Sequence, residues 1–239
     1  MIGNISYRLK RALNALYFWE SGGLNRPALF DIDATYPSLR VFDRNVDVIQ
    51  KELELLLRER EAIPRYHEVA PTETYISGTF NTEKAWRVFM LRWSNGAGLE
   101  GNQAKCPKTS ALIDRVPGVI QAFFSILEAG KSIPAHDGPY LGYLRYHLGL
   151  RVPPENPPTI RVKDHFHTWE VGKSILFDDS WNHEVINRSK DVRVVLIVDV
   201  LRPMRFPAHA LNWFSTSVLS RFTKEAKETR QNLANYQPD

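Results

Sequence analysis

RVVLIVDVL, residues 193–201, reads as a β-strand buried on both faces, because it is almost entirely β-branched and aliphatic. Arg193 begins it and shares a face with Val195 and Ile197. A guanidinium at the mouth of a buried strand needs an anionic partner. A protein carboxylate serves, and so does a ligand carboxylate held bidentately. Upstream, LRYHLGL (144–150) alternates: Leu144, Tyr146, Leu148 and Leu150 point one way, Arg145, His147 and Gly149 the other. That second face is half exposed in an ordinary sheet and lines the cavity in a jelly roll.

Working outward, WRVFMLRW (86–93), AFFSIL (122–127), TIRV (159–162) and SILF (174–177) also read as strands. Turn residues lie between them, at Gly96–Gly101, Gly130, Gly138–Pro139, Pro153–Pro158 and Gly172. Many short strands without alternating long helices favour a sandwich, barrel or jelly roll over a doubly wound sheet. The expected fold is mainly β with flanking helices, a double-stranded β-helix (jelly roll, cupin-like). Its expected organisation is a helical N-terminal extension over 1–84, a jelly-roll core over 85–203 and a helical tail over 204–239. Asp43 is the expected N-cap of a helix over 44–61, and a short helix is expected over 108–116. In the tail, Leu211, Phe214, Val218 and Phe222 share a helical face.

The first 20 residues suit an amphipathic helix. Ile2, Ile5, Leu9, Leu13, Leu16 and Tyr17 form a stripe, with Arg8, Lys10 and Arg11 away from its centre. Such a helix packs on its own domain or lies in a lipid interface.

With 239 residues, 43% hydrophobic and 24% charged, the chain has ordinary globular composition, which excludes disordered, collagenous and coiled-coil classes. The net charge of +4 is too small to argue for nucleic acid, and none is expected as a partner. Anionic headgroups and acidic small molecules remain candidates. The single cysteine, Cys106, forms no intrachain disulfide, which fits a reducing compartment. No apolar run is long enough to suggest a spanning helix. The expected location is the cytoplasm, with residues 1–20 offering peripheral contact to the inner membrane.

His136 stands in IPAHDGPY and His183 in FDDSWNHEV, ten positions before Arg193. Two histidines flanking jelly-roll strands, followed by an Arg on the last buried strand, suggest a metal site with an anion clamp, and imidazoles with open positions suit non-haem Fe(II). Taken singly, each histidine reads more readily as a satisfied structural residue than as a ligand. Trp169, Trp181 and Tyr140 read as site walls or as packing. His165 and His167 share a strand face without further signal.

The segments SILEAGKSIPAHDGPYLGYLRYHLGL (125–150), TWEVGKSILFDDSWNHEV (168–185) and RVVLIVDVLRP (193–203) carry a resemblance. In order and spacing they resemble the aspartyl/asparaginyl β-hydroxylases, a family of Fe(II)- and 2-oxoglutarate-dependent oxygenases. The resemblance covers about half of the chain, and CPKT (106–109) looks like the bacterial members. It implies that His136 and His183 hold the iron. It also implies that Arg193 pairs with the distal carboxylate of 2-oxoglutarate, that His147 and Ser125 assist, and that Arg145 lies near the substrate. A facial triad would place a carboxylate two residues after the first histidine, where this chain has Gly138. Asp137 should point the other way and is left out of the site; the aspartyl hydroxylases resemble this chain in using two histidines and water. Asp178 and Asp179 are expected to organise the turn that presents His183. The implied activity is dioxygen-dependent hydroxylation of an unactivated carbon. Its expected substrate is an acyl chain of lipid A or ornithine lipid type, with an aspartyl or asparaginyl residue or amino-acid derivative as the alternative. A metal-free binding module and a zinc hydrolase are the competing classes.

Overall fold

The computed structural model describes residues 2–79, 82–93, 97–219 and 223–236. Helix α1 (Ile2–Glu20) leads into a short edge strand β1 (Leu29–Phe30) and the helical turns α2 (Ile32–Thr35) and α3 (Arg40–Asp43). Then follow α4 (Val46–Leu57), α5 (Tyr66–Val69) and α6 (Thr74–Gly78). Strands β2 (Trp86–Trp93) and β3 (Ala97–Gly98) precede α7 (Glu100–Lys105) and α8 (Pro107–Asp114). The remaining strands are β4 (Val119–Leu127), β5 (Ile133–His136), β6 (Tyr143–Arg151), β7 (Thr159–Val162), β8 (His165–Thr168), β9 (Ser174–Phe177), β10 (His183–Ile186) and β11 (Arg193–Leu201). Helices α9 (Ala208–Ser217) and α10 (Lys224–Ala234) close the chain.

Every pairing is antiparallel. Seven strands form one sheet in the order β1-β9-β6-β11-β4-β2-β3, and four form a second in the order β5-β10-β7-β8. The expected jelly-roll architecture is what this strand order builds, with β11 central and buried along its whole length.

Strand alternation sorts the residues into three layers. From β11, Val194, Leu196, Val198 and Val200 join one apolar cluster with Leu144, Tyr146 and Leu148 of β6 and with Phe42, Ile49, Leu53 and Leu112 of α3, α4 and α8. Helices therefore cover the outer face of the large sheet. Val195 and Ile197 join a second cluster with Phe123 of β4, Phe177 of β9 and Ile133, Ile160, Val162 and Val185 of the small sheet. The inner faces of the two sheets thus pack together in a second buried layer. Arg193, Arg145, His147 and Ser125 alternate into it.

Several boundaries differ from the sequence expectation. Helix α4 runs from Val46 to Leu57 rather than over 44–61, with Asn45 as its N-cap. Asp43 does not cap it, because its carboxylate accepts a hydrogen bond from the Ser174 hydroxyl at 2.5 Å instead. Within the expected helical N-terminal extension, residues 29–30 form β1, which pairs with β9 as the edge of the large sheet. Of the expected α1 stripe, Leu13 and Tyr17 are buried while Leu9 and Leu16 are exposed. The side chains of Ile2 and Ile5, and Phe222 of the expected tail face, lie outside the described residues.

Candidate active site between the two sheets

His136 ends β5 and His183 begins β10, and the two are direct cross-strand partners. Their ring centroids stand 4.1 Å apart. Each Nδ1 faces a backbone carbonyl two residues upstream: Pro134 at 2.8 Å for His136 and Trp181 at 2.9 Å for His183. A carbonyl only accepts, so both Nδ1 atoms carry a proton, which leaves Nε2 as the nitrogen for a metal. Orienting a ring through its far nitrogen is how proteins prepare metal-binding histidines. Burial, with His183 adding to it, lowers the His136 pKa to about 4, so the ring is neutral at physiological pH.

Arg193 lies on the inner face of β11 and is almost fully buried. Its Nη1 reaches the Ser125 hydroxyl at 3.3 Å and the Ser125 carbonyl at 3.4 Å, and its guanidinium sits 4.6 Å from the Trp169 ring centre. Its Nε has no hydrogen-bond partner among the described residues. Burial alone pulls its pKa down to about 9, with no neighbouring carboxylate to oppose the fall. Such a group is a charge waiting for an anion. His147, opposite Ile197 in the register, stacks near Trp169 at 5.8 Å and meets the edge of Phe177 at 4.9 Å. Neither of its nitrogens is partnered among the described residues, and burial holds its pKa well below the usual value. Ser125 Oγ accepts the indole N–H of Trp86 at 2.9 Å. Buried polar atoms are normally satisfied, so these orphans mark a polar ligand pocket. Phe177, 6.2 Å from the His183 ring, joins this pocket to the histidine pair.

Arg145 is held more firmly. Its Nε and Nη2 form a fork on Asp199 at 2.7 and 2.8 Å, and its Nη1 donates to Asp179 at 2.6 Å. Asp199 is its direct partner across β6 and β11. Three of the five N–H donors are engaged, which leaves two for a ligand. One guanidinium serves two buried carboxylates. Burial raises the Asp199 pKa despite Arg145; at Asp179, burial is outweighed by Arg145 and the Tyr143 hydroxyl, which hold it low.

The two aspartates before His183 do different work. Asp178 organises the turn, accepting the N–H and hydroxyl of Ser180 and pairing with Arg26 at 2.9 Å and Arg202 at 2.7 Å. Asp179 instead faces the site. Its Oδ1 is 3.3 Å from His183 Nε2, and the Tyr143 hydroxyl donates to it. A Cβ on Gly138 would lie 2.3 Å from Asp179 Oδ2. The space that a side chain two residues after His136 would enter is therefore taken by a carboxylate from another loop. Asp137 is exposed and accepts the Asn182 amide at 2.9 Å.

Sequence reasoning assigned no site role to Asp199 or Tyr143, gave Asp179 only a turn-organising role, and offered Trp169 as site wall or packing. Asp199 had a signal, as the sole charge inside an apolar strand. Asp179 had none that separated it from Asp178. His165 lies exposed on β8, and Trp181 stacks under Arg26 at 3.7 Å. Tyr140 packs against α1 and α9 rather than in the pocket.

The inner face of a jelly roll, carrying a prepared histidine pair and an unpartnered buried cation, defines a ligand-binding enzyme scaffold. The family model of the aspartyl/asparaginyl β-hydroxylases matches residues 43–203, and the chain belongs to that family of hydroxylases. It is 36% identical over 211 residues to an ornithine lipid ester-linked acyl 2-hydroxylase of Rhizobium tropici, covering 87% of this chain and 73% of the relative. It is 37% identical over 127 residues to the human aspartyl/asparaginyl β-hydroxylase, covering 51% of this chain but only 16% of that protein. Among solved structures it resembles a cupin family protein with a double-stranded β-helix fold from Methanocaldococcus jannaschii. There the identity is 16% and the TM-score 0.29, over 40% of this chain and 77% of the other.

Proposed function

We propose that the protein is an Fe(II)- and 2-oxoglutarate-dependent dioxygenase that hydroxylates an unactivated carbon of a lipid acyl chain. The observation that carries this is Arg193: a buried guanidinium with no carboxylate partner among the described residues, on the same inner face that leads to the paired histidines. A dicarboxylate that spans from metal to cation fits both halves of that pocket.

His136 and His183 would hold the iron through Nε2, their Nδ1 protons fixed on Pro134 and Trp181. Arg193 binds the far carboxylate of 2-oxoglutarate, with Ser125 Oγ beside it and Trp169 flanking the guanidinium. His147, kept neutral by burial, offers an N–H to the cosubstrate. Arg145 is preset by Asp199 and Asp179 and turns its remaining donors towards the substrate side. The apolar walls, Phe177 and Trp169 among them, exclude water from the chemistry. When bound together, Fe(II), 2-oxoglutarate and dioxygen supply the oxidising chemistry, with succinate and carbon dioxide as by-products.

The acyl-chain substrate is favoured over an aspartyl side chain by the extent of the similarity. The likeness to the ornithine lipid hydroxylase covers 87% of the chain and so reaches into the flanking helices, whereas the likeness to the human protein covers 51%. Anaerobic addition of Fe(II) and 2-oxoglutarate should produce a visible charge-transfer band, and His183→Ala should abolish both the band and substrate-dependent succinate release. A wild-type protein that binds 2-oxoglutarate without any such band would overturn the metal assignment.

A further inference from the structure

Helices α1 and α9 meet on one side of the molecule, and their outward faces are unusually apolar. Trp19 is 78% exposed, Phe206 86% and Trp213 54%, with Leu9, Leu16, Leu211 and Phe214 also exposed. The C-terminal end of α1 and the loop that leads into α9 adjoin across an open groove of about 530 Å³ lined by Trp19, Glu20, Gly22, Pro203, Met204 and Arg205. Apolar exposure this concentrated marks an interaction surface.

The charge around the patch is mainly basic. No Asp or Glu occurs from residue 2 to 19 or from 201 to 223, while Arg8, Lys10 and Arg205 are exposed there. Glu20, at the edge, is engaged by the backbone N–H of Arg205 at 3.1 Å. Exposed tryptophans ringed by basic residues match a bilayer with anionic headgroups: the indoles suit the interfacial zone and the cations the phosphates. No described helix is long and apolar enough to cross a membrane.

The patch is also joined to the site. The loop after His136 is clamped by both helices. Asn14 of α1 bonds Pro139 and Leu141 at 3.1 Å each, and Tyr17 meets Tyr140 edge-on at 5.8 Å. Asn212 of α9 accepts the Tyr140 hydroxyl at 2.8 Å and donates to the Gly142 carbonyl at 2.7 Å. The exposed face therefore lies one loop away from His136. We propose that the α1–α9 face is a docking surface for an anionic lipid bilayer and brings the mouth of the site to the membrane. This deepens the lipid reading of the site, but its observations do not depend on turnover.

The test uses the full-length, metal-free protein and vesicles of mixed phosphatidylglycerol and phosphatidylethanolamine. Wild type should co-sediment with them, more weakly with phosphatidylcholine vesicles and at high salt. Brominated lipids should quench its tryptophan fluorescence. The triple variant Trp19→Glu, Phe206→Glu and Trp213→Glu changes only exposed side chains. It should lose binding by ~tenfold or more, while keeping its circular dichroism and its affinity for 2-oxoglutarate. Absence of wild-type binding overturns the proposal, as does a triple variant that binds like wild type. A wild-type dimer that the triple substitution dissociates, without vesicle binding by either, shows the face to be a self-interface and also overturns it. Membrane binding is read without catalysis, so it stands or falls separately from the hydroxylase reading.

Discussion

Arg193 separates a ligand-binding group from a structural one. A structural buried arginine is paired, and its removal costs about 3–5 kcal/mol by stranding the partner. Arg193 has no carboxylate to strand. Its burial is instead a cost to the fold, as the pKa drawn down to about 9 indicates. Arg193→Met keeps most of the volume and removes the desolvated charge. The ligand-free variant should be more stable than wild type by about 1–3 kcal/mol in urea unfolding. Its affinity for 2-oxoglutarate should fall by roughly a hundredfold, the worth of a fork of charge-assisted hydrogen bonds. Loss of several kcal/mol in the ligand-free state would show Arg193 to be holding the sheet together instead. This residue was legible in the sequence because a charge opening an apolar strand is anomalous in any fold. His136 and His183 were legible only in combination, and chiefly through family resemblance. The division between Asp178 and Asp179 was not legible at all. Both precede the same histidine, and only the partners Arg26 and Arg202, both distant in sequence, draw one carboxylate away from the site.

At the scale of elements, the long strands announced themselves, as did the short β7 (TIRV) and β9 (SILF), whose residues are mostly β-branched or apolar, whereas β5 and β10 did not. Strands β2, β6 and β11 each have eight or nine residues, long enough for their apolar pattern to show. Strands β5 (IPAH) and β10 (HEVI) have four each, too few for a period of two to stand out, although they carry both candidate metal ligands. They are held by pairing in the small sheet rather than by propensity. Their spacing on the site side depends on Gly138, whose N–H donates to the Asp179 carbonyl at 2.9 Å. A methyl group there would lie 2.5 Å from that carbonyl oxygen and 2.3 Å from the carboxylate. Gly138→Ala must therefore push the loop before His183 away from the end of β5. The expected cost is about 1–3 kcal/mol of stability, as for other overpacked positions. Fe(II) affinity should weaken, because the two imidazoles no longer keep their mutual placement. Unchanged thermal unfolding with unchanged Fe(II) titration would mean that the loops yield freely and that the contact does not set the histidine spacing.

For the molecule as a whole, the same inner face that prepares a site also burdens the ligand-free fold, and pH makes the burden measurable. The helix layer and the outer half of the large sheet form a dry cluster with ordinary packing. The layer between the sheets instead buries His147 and Arg193 with unsatisfied atoms. His147 excludes its proton in the folded state, where burial holds its pKa well below the ordinary imidazole value, whereas the unfolded chain takes that proton up at about 6.5. The unfolded state then binds more protons, so stability rises with pH in this window and is lost as pH falls through about 6.5. Asp199 and Glu73, whose pKa values burial raises, act in the opposite sense at the acidic end, so the wild-type profile alone mixes the two. Comparison with His147→Gln isolates the histidine, since glutamine keeps a polar side chain but takes up no proton. With chelator present, unfolding free energies of both proteins measured between about pH 7 and 5 should diverge. Wild type loses more stability on acidification, and the difference between the proteins grows as pH falls. Parallel profiles would place His147 in contact with water and remove it from the cosubstrate pocket. Divergence that disappears when 2-oxoglutarate and a divalent metal are added would tie the buried neutral imidazole to the ligand it is there to meet.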